Sequence, residues 1–229
     1  MRPVARWNCW LIALVLGLGM PRLATAHNGH IAHAEPLQGI VIDGDLSDWP
    51  VQMNRYPIEW VALSDPLAGD ADMSATFRVG YSIGEQAVYV AVEVQDESVI
   101  VGEPALWNSY DGCELYFDVA DHLSQLSLST TTSPPRSDVI GDPSSLRGRR
   151  ARTSGPAVND THVKVATVRT AGSHVYEWRI DMRPIEPSLA LRHGLSLGLD
   201  VAISDRDEDG SFSWVSWGPG TGKHEWHLR

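Results

Sequence analysis

The stretch "AVYVAVEVQD", residues 87 to 96, decides the fold. Val88, Val90, Val92 and Val94 recur at a period of two, the spacing of one face of an extended chain and not of a helix stripe. Valine's branched Cβ favours the same state. The alternation recurs along the chain. Phe77, Val79 and Tyr81 oppose Arg78 and Gly80. Cys113, Leu115, Phe117 and Val119 oppose Glu114, Tyr116 and Asp118. Tyr176, Trp178 and Ile180 oppose Glu177 and Arg179, and Leu195, Leu197, Leu199, Val201 and Ile203 share a face. Segments rich in Gly, Pro, Asp and Ser separate these runs, and no window carries a sustained helical stripe. The expectation is an all-β fold, an antiparallel sandwich or barrel.

The 229 residues are 43% hydrophobic, enough to pack a core. A net charge of −11 argues against nucleic acid or an anionic membrane as partner. The first 26 residues read as a secretory signal: Arg2 and Arg6, an apolar run from Trp7 to Met20, then small residues at Ala24 and Ala26. Cleavage before His27, or before Glu35 after the second A-x-A at Ala32 and Ala34, predicts a secreted or periplasmic protein with no membrane attachment. Loss of Arg2, Arg6 and Arg22 deepens the charge from −11 to −14. Residues 27–37 read as a flexible lead-in and 38–229 as one domain. Cleavage also removes Cys9, so Cys113 has no internal disulfide partner and reads as a small buried hydrophobe. Residues 121–160 lack apolar periodicity apart from one strand at Leu126–Thr131. They carry the basic run Arg147, Arg149, Arg150 and Arg152, read as a solvated loop.

Three polar constellations invite chemistry. "GIVIDGDLSDWP", residues 39–50, reads as structural: Ile40 and Ile42 in a first strand, a turn at Asp43-Gly44-Asp45, Trp49 packed beneath the sheet, and Pro50 as the stop. Asp205, Asp207 and Asp209 alternate before Gly210. That pattern suits either a hard cation such as structural calcium or a solvated hairpin loop turning at Asp209-Gly210. His27, His30 and His33 lie in the lead-in; with a folded-domain partner such as His122 or His162 they would resemble a copper site, and without one they are a tail that binds metals adventitiously. No G-x-S-x-G, H-E-x-x-H or phosphate-loop pattern occurs. Met53, Met73 and Met182 show no pairing that would ligate haem, and none is expected.

The ordered set "IVIDGDLSDWP", "AVYVAVEVQDESV", "LWNSYDGCELYFD", "YEWRIDM", "LGLDVAISDRDEDG" and "VSWGPGTGKHEW" resembles family 9 carbohydrate-binding modules, within the DOMON-like sandwiches. The resemblance implies two packed antiparallel sheets of immunoglobulin-like type, often with bound calcium, and sugar binding at one edge. It places Trp107 and Trp226 as the two indoles that flank a sugar ring, with Asp111 and Glu114 as polar contacts. Indole faces pack on the apolar C–H faces of a pyranose, and carboxylates accept its hydroxyls. It implies a non-catalytic binder of poly- or oligosaccharide whose partner, an enzyme or a signalling protein, is encoded separately. An extracytoplasmic sensor or protein-interaction domain of the same fold is the other expectation. Family members run on through a further strand where this sequence reaches Arg229, so the last strand is expected to be missing or altered.

Overall fold

A computed structural model of the chain describes residues 30–64, 67, 69, 72–100, 110–118, 125–131, 137–139, 149–150, 162–170, 172–185 and 188–219. The strands run β1 (Glu35–Pro36), β2 (Tyr56–Ile58), β3 (Trp60–Ser64), β4 (Met73–Ser82), β5 (Ala87–Asp96), β6 (Gly112–Asp118) and β7 (Gln125–Thr131). They continue as β8 (Ser137–Val139), β9 (Arg149–Arg150), β10 (Val163–Thr170), β11 (Ser173–Asp181), β12 (Gly198–Arg206) and β13 (Phe212–Ser216). A single turn of α-helix, α1 (Met182–Ile185), follows β11. Among the described residues no helix is long and apolar enough to cross a membrane.

The strands form two sheets, as the alternation predicts. The first has the order β1-β4-β5-β11-β10, with β2 also on β4; the second has the order β3-β13-β12-β6-β7-β8, with β9 on β7. All pairings are antiparallel except β1 with β4 and β7 with β9. The core between the sheets takes Phe77 and Val79 from β4, all four valines of β5, and Cys113, Leu115 and Phe117 from β6. Tyr176, Trp178 and Ile180 of β11 and Val201 and Ile203 of β12 complete it. Each buried valine contributes on the order of 1.5–3 kcal/mol of apolar transfer. Cys113 is wholly buried, a core hydrophobe as its alternation indicates. The strand expected at Leu126–Thr131 is β7, and two short strands, β8 and β9, accompany it in the stretch read as loop.

Two sequence expectations need correction. Residues 30–37 are docked rather than a free lead-in: β1 pairs with Gly80 and Tyr81, Leu37 is buried, and His30 bonds the Trp217 carbonyl through Nδ1 at 3.0 Å. Gly80 makes the docking possible, since a Cβ there would sit 2.2 Å from Leu37 Cδ1. Ile40 and Ile42 form no strand; they lie half-buried against a second apolar cluster on the outer face of the first sheet. That cluster joins Leu37, Trp49 and Met53 to Ala87, Tyr89 and Ala91, the residues of β5 that alternate with its valines. Both faces of β5 are therefore covered.

The segment 39–50 is structural, and Glu177 is the reason. Its carboxylate is wholly buried on the outer face of β11. Oε2 accepts the backbone N–H groups of Asp43 (2.9 Å) and Gly44 (2.8 Å), and Oε1 accepts Trp49 Nε1–H (2.9 Å). Gly44 adopts a φ of 86°, the left-handed turn expected of it. Asp43 Oδ1 accepts the Asp45 N–H and Asp45 Oδ1 the Ser47 N–H, so these acids order the turn and cap the short 3-10 helix at Leu46–Asp48. Glu177→Gln turns one acceptor into a donor among buried donors. It is expected to cost about 2–4 kcal/mol in urea unfolding, whereas a loss under 1 kcal/mol would show that the segment docks by apolar contact alone.

Candidate functional site

The inner faces of four strands end in polar groups at the same end of the sandwich. On β5, two residues past Val94, stands Asp96. On β11, two before Tyr176, stands His174, directly opposite Val94. Asp111 precedes Cys113 by two, and on β12 Asp205 follows Ile203 by two. Side chains two apart on a strand share a face, so all four point between the sheets. None exposes more than 3% of its surface. Asp72, at the entry to β4, and Asp207, just past β12, lie at the rim.

Two separate groups of ligand-type atoms result: Asp96, Asp111 and His174, and Asp72, Asp205 and Asp207. Within each, one atom per residue lies within 4.8 Å of the others. Backbone N–H groups hold some of these carboxylates in place. Asp111 accepts from Ile100 at 2.6 Å and Arg206 at 2.8 Å, and Asp96 accepts from Ser98 at 2.7 Å. Both oxygens of Asp205 and Oδ1 of Asp207 are buried with no hydrogen-bond partner. Burial lifts Asp205 to about 8, with Asp96, Asp207, Asp111 and Asp72 adding repulsion. Burial likewise lifts Asp111 to about 8 and Asp96 to about 6; the backbone N–H bonds oppose the rise and the neighbouring carboxylates add to it. His174 falls to about 4, first through burial and then through Arg169, so its imidazole is neutral. Buried carboxylates with orphaned oxygens fit a divalent ion.

The sequence had picked Asp205, Asp207 and Asp209. The first two belong to the group, but Asp209 is exposed at the hairpin tip. Its Oδ1 accepts from the N–H and hydroxyl of Ser211, and Gly210 beside it turns at φ 95°. Asp72 takes the third place instead. Asp72, Asp96 and His174 were not singled out from the sequence. The parity rule would have found the last two, because each prolongs an apolar face by one two-residue step.

The structure also separates Asp111 from Glu114. Three residues apart on an extended chain, they face opposite ways. Asp111 points into the acidic layer. Glu114 lies on the outer face of the second sheet, beside Ala202 of β12, where its Oε2 accepts the Tyr116 hydroxyl. Tyr116, Ala202, Phe212 and Trp214 form an apolar cluster there, with Ala62 and Leu63 packed against it. Trp60, on the edge strand β3, is half exposed and lies across from Ser216. Trp107, Trp226, His27 and His122 lie outside the described residues. The described histidines of the lead-in do other work: His30 bonds Trp217, and the His33 N–H bonds the Tyr56 hydroxyl.

Two packed, mostly antiparallel sheets with an acidic end define an all-β sandwich. Residues 42–227 match the model of the family described as "Carbohydrate family 9 binding domain-like", and the chain belongs to that family. Among solved structures it is similar to a family 9 carbohydrate-binding module from Caldicellulosiruptor kristjanssonii in complex with glucose. The TM-score is 0.58 at 14% identity, covering 86% of this chain and 90% of that one. The same module in complex with cellotriose gives a TM-score of 0.58 at 14% identity, over 84% and 86%. A search of curated proteins returned no match.

The electrostatics of the acidic layer predict a pH response in the metal-free protein. Asp96, Asp111 and Asp205 hold protons in the fold that the unfolded chain releases near pH 4. The fold then binds more protons than the unfolded chain, so their contribution is complete below about pH 4 and is lost as pH rises through about 6 and 8. In chelator, the thermal midpoint is expected to fall steadily from pH 5 to pH 8; a flat or rising profile would contradict the burial of these groups.

Proposed function

We propose that this sandwich binds a poly- or oligosaccharide without catalysing a reaction on it. The observation that carries the proposal is family membership over residues 42–227. The solved modules it resembles were captured with glucose and with cellotriose, which makes a glucan the first ligand to test. Glu114 supplies a carboxylate on the outer face of the second sheet, on the strand that follows Trp107 by a few residues. Trp107 and Trp226 supply the stacking faces, and Asp111 serves the acidic layer. A secreted or periplasmic location would bring such a module to its polysaccharide and raise the local concentration of an enzyme or signalling partner there.

Calcium is the ion proposed for Asp72, Asp205 and Asp207. The fit rests on the orphaned oxygens of Asp205 and Asp207: an all-carboxylate set with a half-exposed rim is the donor chemistry of a hard cation that keeps water in its shell. These residues would hold the ion between β12 and the entry to β4. Its charge would offset the repulsion among them.

Two measurements test these readings. On a glycan array with isothermal titration, wild type is expected to bind a glucan and Trp107→Ala to weaken it by about tenfold or more. No binding to any glycan, or binding untouched by Trp107→Ala, would refute the assignment. For calcium, saturation at about 100 times Kd adds about 2.7 kcal/mol, a rise of roughly 5–10 °C in thermal midpoint for a domain of this size. Asp205→Asn is expected to abolish that rise, and an identical midpoint with calcium and with chelator in the wild type would exclude the site.

A further inference from the structure

We propose that Asp96, Asp111 and His174 form a centre for a borderline divalent transition ion of the zinc class, distinct in chemistry from the all-oxygen group beside it. The observation behind it is His174. The side chain is 1% exposed, and neither ring nitrogen has a hydrogen-bond partner. Nε2 lies 3.9 Å from Asp96 Oδ2. A buried imidazole with two idle nitrogens is costly unless something engages it. The groups around it are Asp96, Asp111, the ring of Tyr176, whose centroid is 5.4 Å away, and Arg169, which lies opposite it on β10 and would have to turn toward solvent when a cation enters. The Tyr176 hydroxyl is itself buried without a partner.

The donor set selects the ion. Calcium takes six to eight oxygens, whereas imidazole nitrogen with carboxylate oxygen suits zinc and its neighbours at four-coordination. Two carboxylates and a neutral imidazole balance a dication. For bonds of about 2.0–2.1 Å, neighbouring tetrahedral ligands stand about 3.4 Å apart. The 3.9 Å between Nε2 and Oδ2 therefore closes with a small side-chain rotation. The carboxylates are already aimed: Ser98 holds Asp96 by Oδ1, leaving Oδ2 toward His174, and Ile100 and Arg206 hold Asp111. Such outer bonds orient ligands in established metal centres. The ion would tie β5 and β11 of the first sheet to the start of β6 in the second.

The test strips the protein with chelator, then titrates it with Zn2+, Co2+ and Ca2+, reading bound metal by elemental analysis, the visible absorption of Co2+, and thermal midpoint. The expected result is one tightly bound Zn2+ per chain that Ca2+ at equal concentration does not displace, and a low-coordinate Co2+ spectrum in the stripped protein that Zn2+ abolishes. His174→Asn is expected to weaken zinc by a hundredfold or more while the calcium-dependent rise in midpoint persists. A variant with His27, His30 and His33 all changed to Ala is expected to keep the zinc. Should His174→Asn fail to fold, magnetic-resonance detection of nitrogen coupling to Cu2+ bound in place of zinc, in the triple variant, decides the point. Zinc lost in the triple variant but kept in His174→Asn, or oxygen-only coordination, would overturn the proposal. Glycan binding enters none of these readouts, so failure here leaves the carbohydrate reading standing.

Discussion

Within a single two-residue step, the inner faces of β5, β6, β11 and β12 pass from hydrocarbon to carboxylate or imidazole. Val94 gives way to Asp96, Cys113 to Asp111, Tyr176 to His174, and Ile203 to Asp205. The period of a strand leaves no other direction for these side chains. They must enter the space between the sheets because the valines and tryptophan two or four residues away must. The core is thus obliged to end in charge, and the fold has to settle that charge by protonation or by an ion. Protonation follows from the burial of these carboxylates, and the proposed ions would take its place.

The outer face of the first sheet faces the opposite problem and solves it with one acid. Glu177 is buried there with no basic partner in direct hydrogen bond. Its two oxygens are engaged by two backbone N–H groups and an indole N–H from residues 43–49. Arg78 stands over the Trp49 ring at 5.5 Å and bonds Glu93, a cation close enough to lower the cost of the buried charge. The aspartates of the opening motif therefore serve the turn that delivers Trp49. Their acidity is local hydrogen-bond chemistry, with no reacting group in view.

Much of this was legible in the sequence, for a physical reason. Alternation is a one-dimensional record of which face is buried, so the sheets, the core list and the burial of Cys113 could be read from it. The turn at Gly44 and the hairpin at Gly210 were legible because positive φ favours glycine. What alternation does not record is which strand ends meet. Asp72, Asp96, Asp111, His174 and the pair Asp205 and Asp207 come from five separate points in the chain, and the strand order gathers them. Asp111 and Glu114, expected as polar contacts together, lie on different faces, since an odd spacing on an extended chain divides two side chains between faces. The docking of residues 30–37 was hidden because it depends on a missing side chain, at Gly80, in a strand far along the sequence.

That division between faces assigns the labour of the molecule. Among the described residues, the clustered metal-ligand side chains lie between the sheets at one end, with Asp96, Asp111, His174 and Asp205 buried and Asp72 and Asp207 at the rim. Glu114, nearly buried, and the half-exposed Trp60 lie on the outer face of the second sheet. Among the described residues the clustered aspartates lie between the sheets, and Glu114 is bonded to Tyr116 on the outer face of the second sheet. An acid held by a neighbouring phenol is oriented to accept hydroxyls. The arrangement spends its ionisable groups on rigidity within and recognition without, which is what a domain that binds a sugar surface requires.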